Sequence, residues 1–281
     1  MPIDLHTHSI RSDGTQPPAD VVALARAAGL DVVGLTDHDT TAGWAEAADA
    51  AAEVGIGLVR GIEISCSHEG ISIHMLGYLH DPADAPLLAE IQRARDSRRT
   101  RARRMVLALA EDLPITYDDV LATAAPEASI GRPHIADALV TKGIVATRDQ
   151  AFATMLHPRG PYYVSHYAPP PDVVLRLLTA AGGVAVMAHP FAHRRGRVVS
   201  DEVIEELTAA GLAGLEVRHR DHEAADIARG MALAARLGLL VTGSSDYHGA
   251  GKRNRLGENT TAPDVLAQIV ERAHGTPMLP A

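Results

Sequence analysis

The segment Ile3-Asp4-Leu5-His6-Thr7-His8-Ser9 decides how the rest of the chain is read. It is a short apolar run that ends in two imidazoles two positions apart. On a β-strand, residues i and i+2 project from the same face, so His6 and His8 stand side by side at a strand end, as a pair of metal ligands would. Asp13, in Ser12-Asp13-Gly14, follows in the next loop. A single His-x-His is also ordinary surface polarity, so the reading depends on what the remaining chain adds.

The same pattern recurs along the chain. Residues 31–35 run into Thr36-Asp37-His38-Asp39, and 57–64 contain Gly61-Ile62-Glu63. Residues 72–79 hold His74, 184–188 end in His189-Pro190, and 212–217 end near His219. Residues 239–243 run into Ser244-Ser245-Asp246-Tyr247-His248. Ala-rich stretches at 18–28, 42–54 and 201–210 read as helices between them. Strands alternating with helices predict a parallel sheet or barrel. Seven such strands favour closure into a β/α barrel, whose reactive groups collect at the C-terminal ends of the strands. The rhythm breaks between 81 and 182, where helices are predicted at 85–110, 117–124 and 133–142. Pro82 and Pro86 punctuate the start of that region, and Pro169-Pro170-Pro171 marks a turn near its end. The expected organisation is α/β, with a barrel domain of 1–80 and 183–281 and a helical insertion, 81–182, capping the active site.

Accumulation turns the opening pair into a metal centre. His6, His8, Asp13, His38, Glu63, His74, His189, Asp246 and His248 gather at one rim, and Asp246-Tyr247-His248 repeats the i, i+2 spacing. Buried together without cations, these groups would incur heavy desolvation costs, which bound ions offset. Imidazole and carboxylate ligands without a thiolate favour Mn, Fe or Zn over Cu(I). Asp37 is expected to orient a neighbouring ligand, and Asp39 or Thr40 to cap the following helix.

Composition narrows the classes further. The chain has 281 residues, a 46% hydrophobic share and only 3% aromatics, so Ala, Val and Leu must build the core. Its one cysteine, Cys66, excludes an internal disulfide framework and a thiolate-rich zinc site. A net charge of -9 argues against a duplex-binding face, while bound metals can still attract a phosphate. The opening residues lack the basic and apolar regions of a signal peptide, and no apolar run approaches membrane-spanning length, so a cytoplasmic protein is expected. No protein partner is implied. Neither GxSxG nor GxxxxGK[ST] occurs, which argues against a serine hydrolase and a P-loop NTPase.

With these motifs in order, the chain resembles the polymerase-and-histidinol-phosphatase (PHP) domain family. The resemblance rests on Leu5-His6-Thr7-His8, Thr36-Asp37-His38, Gly61-Ile62-Glu63 with His74, and Ala188-His189-Pro190 with Asp246-Tyr247-His248. It implies a distorted (β/α)7 barrel carrying two or three divalent ions and a phosphoesterase activity. It assigns His6, His8, Glu63 and Asp246 to one site, Glu63 with His74 and His189 to a second, and Asp13, His38 and His248 to a third. Glu63, Asp246 and His189 are the expected catalytic residues. Some relatives have His where this chain has Asp13.

A phosphate ester needs further orienting groups. Arg132 and His134, in Ser129-Ile130-Gly131-Arg132-Pro133-His134, are the preferred clamps, with Arg194 a third candidate. Seven arginines fall in residues 93–104; a solvated helix face is the plainer reading, with Arg99 or Arg103 the ones to bend toward substrate. His193, His219 and His222 lie near the predicted rim as possible proton donors. The segment from Gly131 to His189 resembles the family branch that dephosphorylates nucleoside 3′,5′-bisphosphates, some members of which degrade short RNA from the 5′ end. The expected partner is therefore a small phosphorylated nucleotide or short RNA. Histidinol phosphate hydrolysis, an amidohydrolase and a non-catalytic polymerase-associated module are the alternatives. Only Lys142 and Lys252 could supply a carbamylated lysine, and neither ends a strand.

Overall fold

A computed structural model describes residues 1–126 and 128–281. Seven strands form one sheet in sequence order: β1 (Ile3–Thr7), β2 (Val32–Leu35), β3 (Gly57–His68), β4 (Ile71–Tyr78), β5 (Val184–Ala188), β6 (Gly214–Arg218) and β7 (Leu240–Gly243). The sheet curls into a nearly closed, distorted (β/α)7 barrel. At its upper edge the backbone of Thr7 bridges to Tyr247, and His8 N donates to Tyr247 O at 2.8 Å. Lower down Thr261 fills the seam, donating its N–H to Ile3 O at 2.9 Å and its hydroxyl to Gly243 O at 2.9 Å.

The sheet is not all parallel, which corrects the sequence-based expectation. β4 runs antiparallel to both neighbours. The cause is a two-residue hairpin loop, Glu69-Gly70, in which both residues have positive φ, 48° and 74°. That backbone matches the right-handed strand twist and reverses the chain at once, with His68 paired to Ile71. β3 therefore extends to His68 instead of stopping at 64. His74 lies near the start of its strand, not the end, and reaches the rim because β4 is inverted.

Helices α1 (Pro18–Ala27) and α2 (Trp44–Val54) cover the β1–β3 side through Val22, Ala25, Ala47 and Ala51, packed on Val33, Leu35 and Leu58. Gly43 precedes α2; Asp39 accepts the Ser65 N–H and Thr40 the Ala42 N–H, so neither caps that helix. After β4 come α3 (Ala85–Ala110), α4 (Tyr117–Leu121), α5 (Arg132–Thr141), α6 (Arg148–Thr154) and α7 (Pro171–Ala180). Asp84 accepts the Leu87 N–H at 2.9 Å to open α3, and Pro86 fits its first turn. α8 (Asp201–Ala209), α9 (Ala224–Leu237) and α10 (Pro263–Arg272) complete the chain.

Two further apolar cores draw on these elements. One joins the outward side chains Ile62, Ile64, Ile73, Met75, Met187, Leu215 and Val217 to α7, α8 and α9. A second lies entirely within residues 102–164 and packs Met105, Leu109, Ile135, Leu139 and Leu156 together. On the strands, the positions alternating with the outward set carry Glu63, His74 and Glu216, so the pleat sends the polar groups inward. Among the described residues no helix is long and apolar enough to cross a membrane.

Leu178 of α7 is fully buried against Gly77, where even a Cβ would meet its Cδ2. Replacing Leu178 with Ala opens a cavity over β4 and is expected to destabilise the protein by roughly 2–5 kcal/mol. Urea unfolding measures this; a loss below about 1 kcal/mol would contradict the packing.

Candidate metal centre

Glu63 is the hub. Its carboxylate is buried on β3, and its two oxygens divide five imidazoles between them. Oε1 lies 2.7 Å from His74 Nδ1 and 3.1 Å from His189 Nε2. Oε2 lies 3.2 Å from His6 Nε2, 3.0 Å from His8 Nε2 and 3.2 Å from His38 Nδ1. Asp246 Oδ1 stands 3.4 Å from both His6 Nε2 and His8 Nε2. On the far side of His8, Asp13 Oδ1 lies 3.2 Å from His248 Nε2, and Asp13 Oδ2 3.9 Å from His38 Nε2.

The backbone is bent to make this possible. Asp39, His189 and Asp246 adopt positive φ of 52°, 31° and 54°, a conformation costly for residues with a Cβ and typical of functional sites. Gly14 lets the Asp13 loop fold back onto β1: a Cβ there would collide with the His8 carbonyl.

Outer hydrogen bonds aim the nitrogens inward. His6 Nδ1 is 3.0 Å from Glu216 Oε1, and Glu216 Oε2 accepts the His189 N–H at 2.8 Å. A proton held at His6 Nδ1 leaves the Nε2 lone pair facing His8 Nε2, only 3.0 Å away. His248 Nδ1 sits 2.8 Å from the Asp246 carbonyl, which points its Nε2 at Asp13. Asp37 accepts from Ser9 and Ser12, and Ser12 Oγ is 3.3 Å from His8 Nδ1.

Three sets of these side chains offer ligand atoms within 4.8 Å of one another: His6, His8, Glu63 and Asp246; His8, Asp13, His38 and His248; His38, Glu63 and His74. His189 is outside the last set yet touches the same Glu63 oxygen. The residues fit bound cations on structural grounds. His38 Nδ1, Glu63 Oε2 and His248 Nε2 are buried without a hydrogen-bond partner, although each faces groups of this cluster. Hard oxygens and imidazoles around one point suit divalent ions.

The charges agree. Burial opposes ionisation of Glu63, yet His38, His6 and His74 hold its carboxyl well below the usual range. Asp13 is lowered in the same way by His248 and His38 against its burial, and Glu216 falls to about 2 through His6. Burial lowers His248 to about 4 with help from His8, and lowers His189 to about 3 with help from Arg195. Burial also opposes protonation of His6 and His8, but the surrounding carboxylates raise both, His8 to about 9. Ionised carboxylates and neutral imidazoles are the states a metal requires; the protons that the carboxylates favour on His6 and His8 stand where the positive charge of an ion would take over, and both rings must lose them to ligate.

Several residues escaped the sequence reading. Glu216 left a signal, an acid inside the apolar run Gly214-Leu215-Glu216-Val217. Asp246 Oδ2 gathers Arg195 at 2.7 Å, Lys252 at 2.9 Å and His219 at 3.5 Å. Arg194, by contrast, points outward with its side chain 77% exposed and reaches Glu223 at 3.5 Å. His193 likewise turns away, toward Asp226, and His222 packs on Phe191. The start of α5 lies against the Asp13 loop: Ser129 N donates to Arg11 O at 3.1 Å and Arg148 NH1 to Asp13 O at 3.3 Å. His134 is buried there, its Nδ1 accepting the Gly131 N–H, and Arg132 lies between the rings of Phe152 and Tyr163. Arg99 and Arg103 are exposed, so the inward-turning arginines of α3 are others.

Comparison with known proteins places this geometry. The PHP domain family model matches residues 4–121. The chain is similar to the 3′,5′-nucleoside bisphosphate phosphatase of Chromobacterium violaceum, 35% identical over 99% of both chains. It is similar to a 5′-3′ exoribonuclease of Haemophilus influenzae, 36% identical over 76% of this chain and 78% of that one. Among solved structures, a protein of Bifidobacterium adolescentis described as a metal-dependent phosphoesterase superposes with a TM-score of 0.95, at 43% identity and 98% coverage of each.

Glu216→Gln keeps the shape but removes the charge that steadies His6 and His189. Metal affinity is expected to fall about 10–100-fold with the fold intact. Competition against a chelating dye, alongside circular dichroism, reads both; unchanged affinity would remove Glu216 from any role at the centre.

Proposed function

The chain belongs to the PHP domain family and is a metal-dependent phosphoesterase, and we propose that it removes the 3′-phosphate from a nucleoside 3′,5′-bisphosphate. One observation carries this reading: the start of α5, with Arg132 and His134, is seated against the Asp13 loop at the edge of the Glu63 cluster. A small nucleotide with one phosphate at the cluster can hold its remaining charge there. The near full-length likeness to a nucleoside bisphosphate phosphatase supports the same substrate.

In this proposal two or three divalent ions, Mn, Fe or Zn, are held by the nine candidate ligands. His6, His8, Glu63 and Asp246 take the first, Glu63 shared with His74 and His189 the second, and Asp13, His38 and His248 the third. Bound there, such ions polarise a phosphoryl group and lower the pKa of water. The chain's own groups do the rest. Glu63 spends both oxygens inside the cluster, Glu216 fixes His6 and the backbone of His189, and Asp246 is held on its outer oxygen by Arg195 and Lys252. Glu63, Asp246 and His189 are the catalytic residues, with Arg132 and His134 as substrate contacts; Arg194 stands farther out. Arg195 and Lys252 add positive charge where a phosphate arrives. The division into barrel (1–80 and 183–281) and capping insertion (81–182) belongs to the same proposal, supported by the separate core within 102–164.

A second reading, 5′-3′ exonucleolysis of short RNA, draws on the Haemophilus influenzae relative. Both use a metal-assisted attack on a ribose phosphate ester near a terminal phosphate.

Phosphate release by the Mn-loaded protein from adenosine 3′,5′-bisphosphate, AMP, histidinol phosphate and a short 5′-phosphorylated RNA separates the readings. The bisphosphate is expected to be the best substrate; a preference for the RNA or for histidinol phosphate overturns the proposal. His6→Ala and Glu63→Ala are expected to lose activity on the order of a thousandfold while remaining folded, and chelation is expected to abolish turnover. Activity that survives chelation would refute the assigned centre.

A further inference from the structure

In the insertion, α5 and α6 are joined by a turn through Gly143, at a φ of 69°, and pack together through Ile135, Leu139, Ala151 and Leu156. Thr147 opens α6, its hydroxyl accepting the Gln150 N–H at 3.1 Å, and so places Arg148 in the first turn. From there the guanidinium grips Asp137 of α5 with two donors, Nε on one carboxylate oxygen and NH2 on the other. The remaining nitrogen, NH1, donates to the carbonyl of Asp13 at 3.3 Å. The same NH1 lies against Gly251, where a Cβ would collide with it. One side chain of the insertion thus touches two separate loops of the barrel.

Those two loops carry two of the three ligands assigned to the outermost ion. Asp13 Oδ1 faces His248 Nε2 at 3.2 Å. Further bonds lace the loops together: Thr15 N donates to His248 O at 3.2 Å, and Ala250 N to Thr15 Oγ1 at 2.9 Å. The barrel holds the three ligands unequally. His38 is bridged to the backbone of Glu63, and His248 Nδ1 rests on the Asp246 carbonyl at 2.8 Å. Asp13 lies in a turn outside any strand, with the Ser12 and Gly14 N–H groups on either side of it folded onto Ser9 O. Its own carbonyl is fixed from outside the barrel, by Arg148. A binding constellation tolerates errors of only about 0.5 Å in its ligands, so a ligand on a turn needs such an anchor. Because Asp137 offsets the guanidinium charge, Arg148 can hold the loop without setting a bare positive charge beside an arriving cation.

We propose that Arg148 is a positioning residue for the ion assigned to Asp13, His38 and His248, so that occupancy of this outermost site depends on the seating of α5 and α6 against the barrel. This rests on the three-ion reading of the cluster, and adds to it the group that decides whether the third ion is held. Arg148 acts through the backbone of Asp13. Without it the turn is free to move, and the carboxylate must be ordered at the moment of binding. Among the described residues Arg148 makes no hydrogen bond or ion pair to His6, Glu63, His74, His189 or Asp246, so its removal bears on the outer site alone.

Calorimetric titration of Mn(II) into the full-length, chelated protein counts the ions and ranks their affinities apart from catalysis. Wild type is expected to take up three equivalents. Arg148→Met is expected to bind two of them with unchanged affinity and the third about tenfold or more weakly. Gly251→Ala keeps the guanidinium but sets a methyl group where it lies; it is expected to weaken the same ion, and it serves if the methionine variant fails to fold. Lys142→Gln, which breaks the ion pair with Asp119 elsewhere in the insertion, is expected to match wild type. A third ion held at wild-type affinity in either the Arg148 or the Gly251 variant overturns the proposal, as does an equal loss of all three ions. A comparable loss in Lys142→Gln also overturns it, because any loosening of the insertion would then suffice. Wild type that saturates at two ions overturns the three-ion reading itself, and the proposal with it.

Discussion

One buried carboxylate organises the molecule. Glu63 sits midway along β3 with imidazoles on both oxygens, and such a group is tolerable in a barrel interior only when it is surrounded by compensating charge and hydrogen bonds. The requirement spreads outward. His6 must present its Nε2, so Glu216 takes its Nδ1; Asp246 must present one oxygen, so Arg195 and Lys252 occupy the other. The cluster is thereby ordered by groups that never face its centre.

The irregularity of the barrel serves the same end. In an all-parallel barrel each strand delivers its polar groups just past its C-terminal end. Inverting β4 lets a side chain near the beginning of a strand, His74, join the rim, directly opposite Ser65 and beside Glu63. The hairpin that causes the inversion costs two residues, Glu69 and Gly70, both in the left-handed region.

Much of this was legible in the residues. His6-Thr7-His8 carries its geometry in its spacing, and the apolar runs marked all seven strands to within a few residues; Asp246-Tyr247-His248 has the same spacing but lies beyond β7, with Asp246 brought to the cluster by a left-handed backbone. Direction was not legible: Glu-Gly is a weaker hairpin signal than Asn-Gly, so β4 read as one more parallel strand. Nor was the inward turn of Arg98 and Arg101, because in a run of seven arginines every helical face is basic and only tertiary packing decides which is covered. Arg195 was masked similarly by Arg194 beside it. Glu216 was readable, as an acid in an otherwise apolar strand, though two positions short of the more conspicuous Arg218.

The bridge from Thr7 to Tyr247 joins the first strand of the barrel to the loop after the last. During synthesis His6 and His8 leave the ribosome long before Asp246 and His248 exist. A nascent chain holding the first two-thirds of the sequence has Glu63, His38 and His74 but not the groups that close the cluster. Asp246 and His248 therefore join the other side chains only once the last strand has met the first, and the complete cluster exists only in the closed barrel.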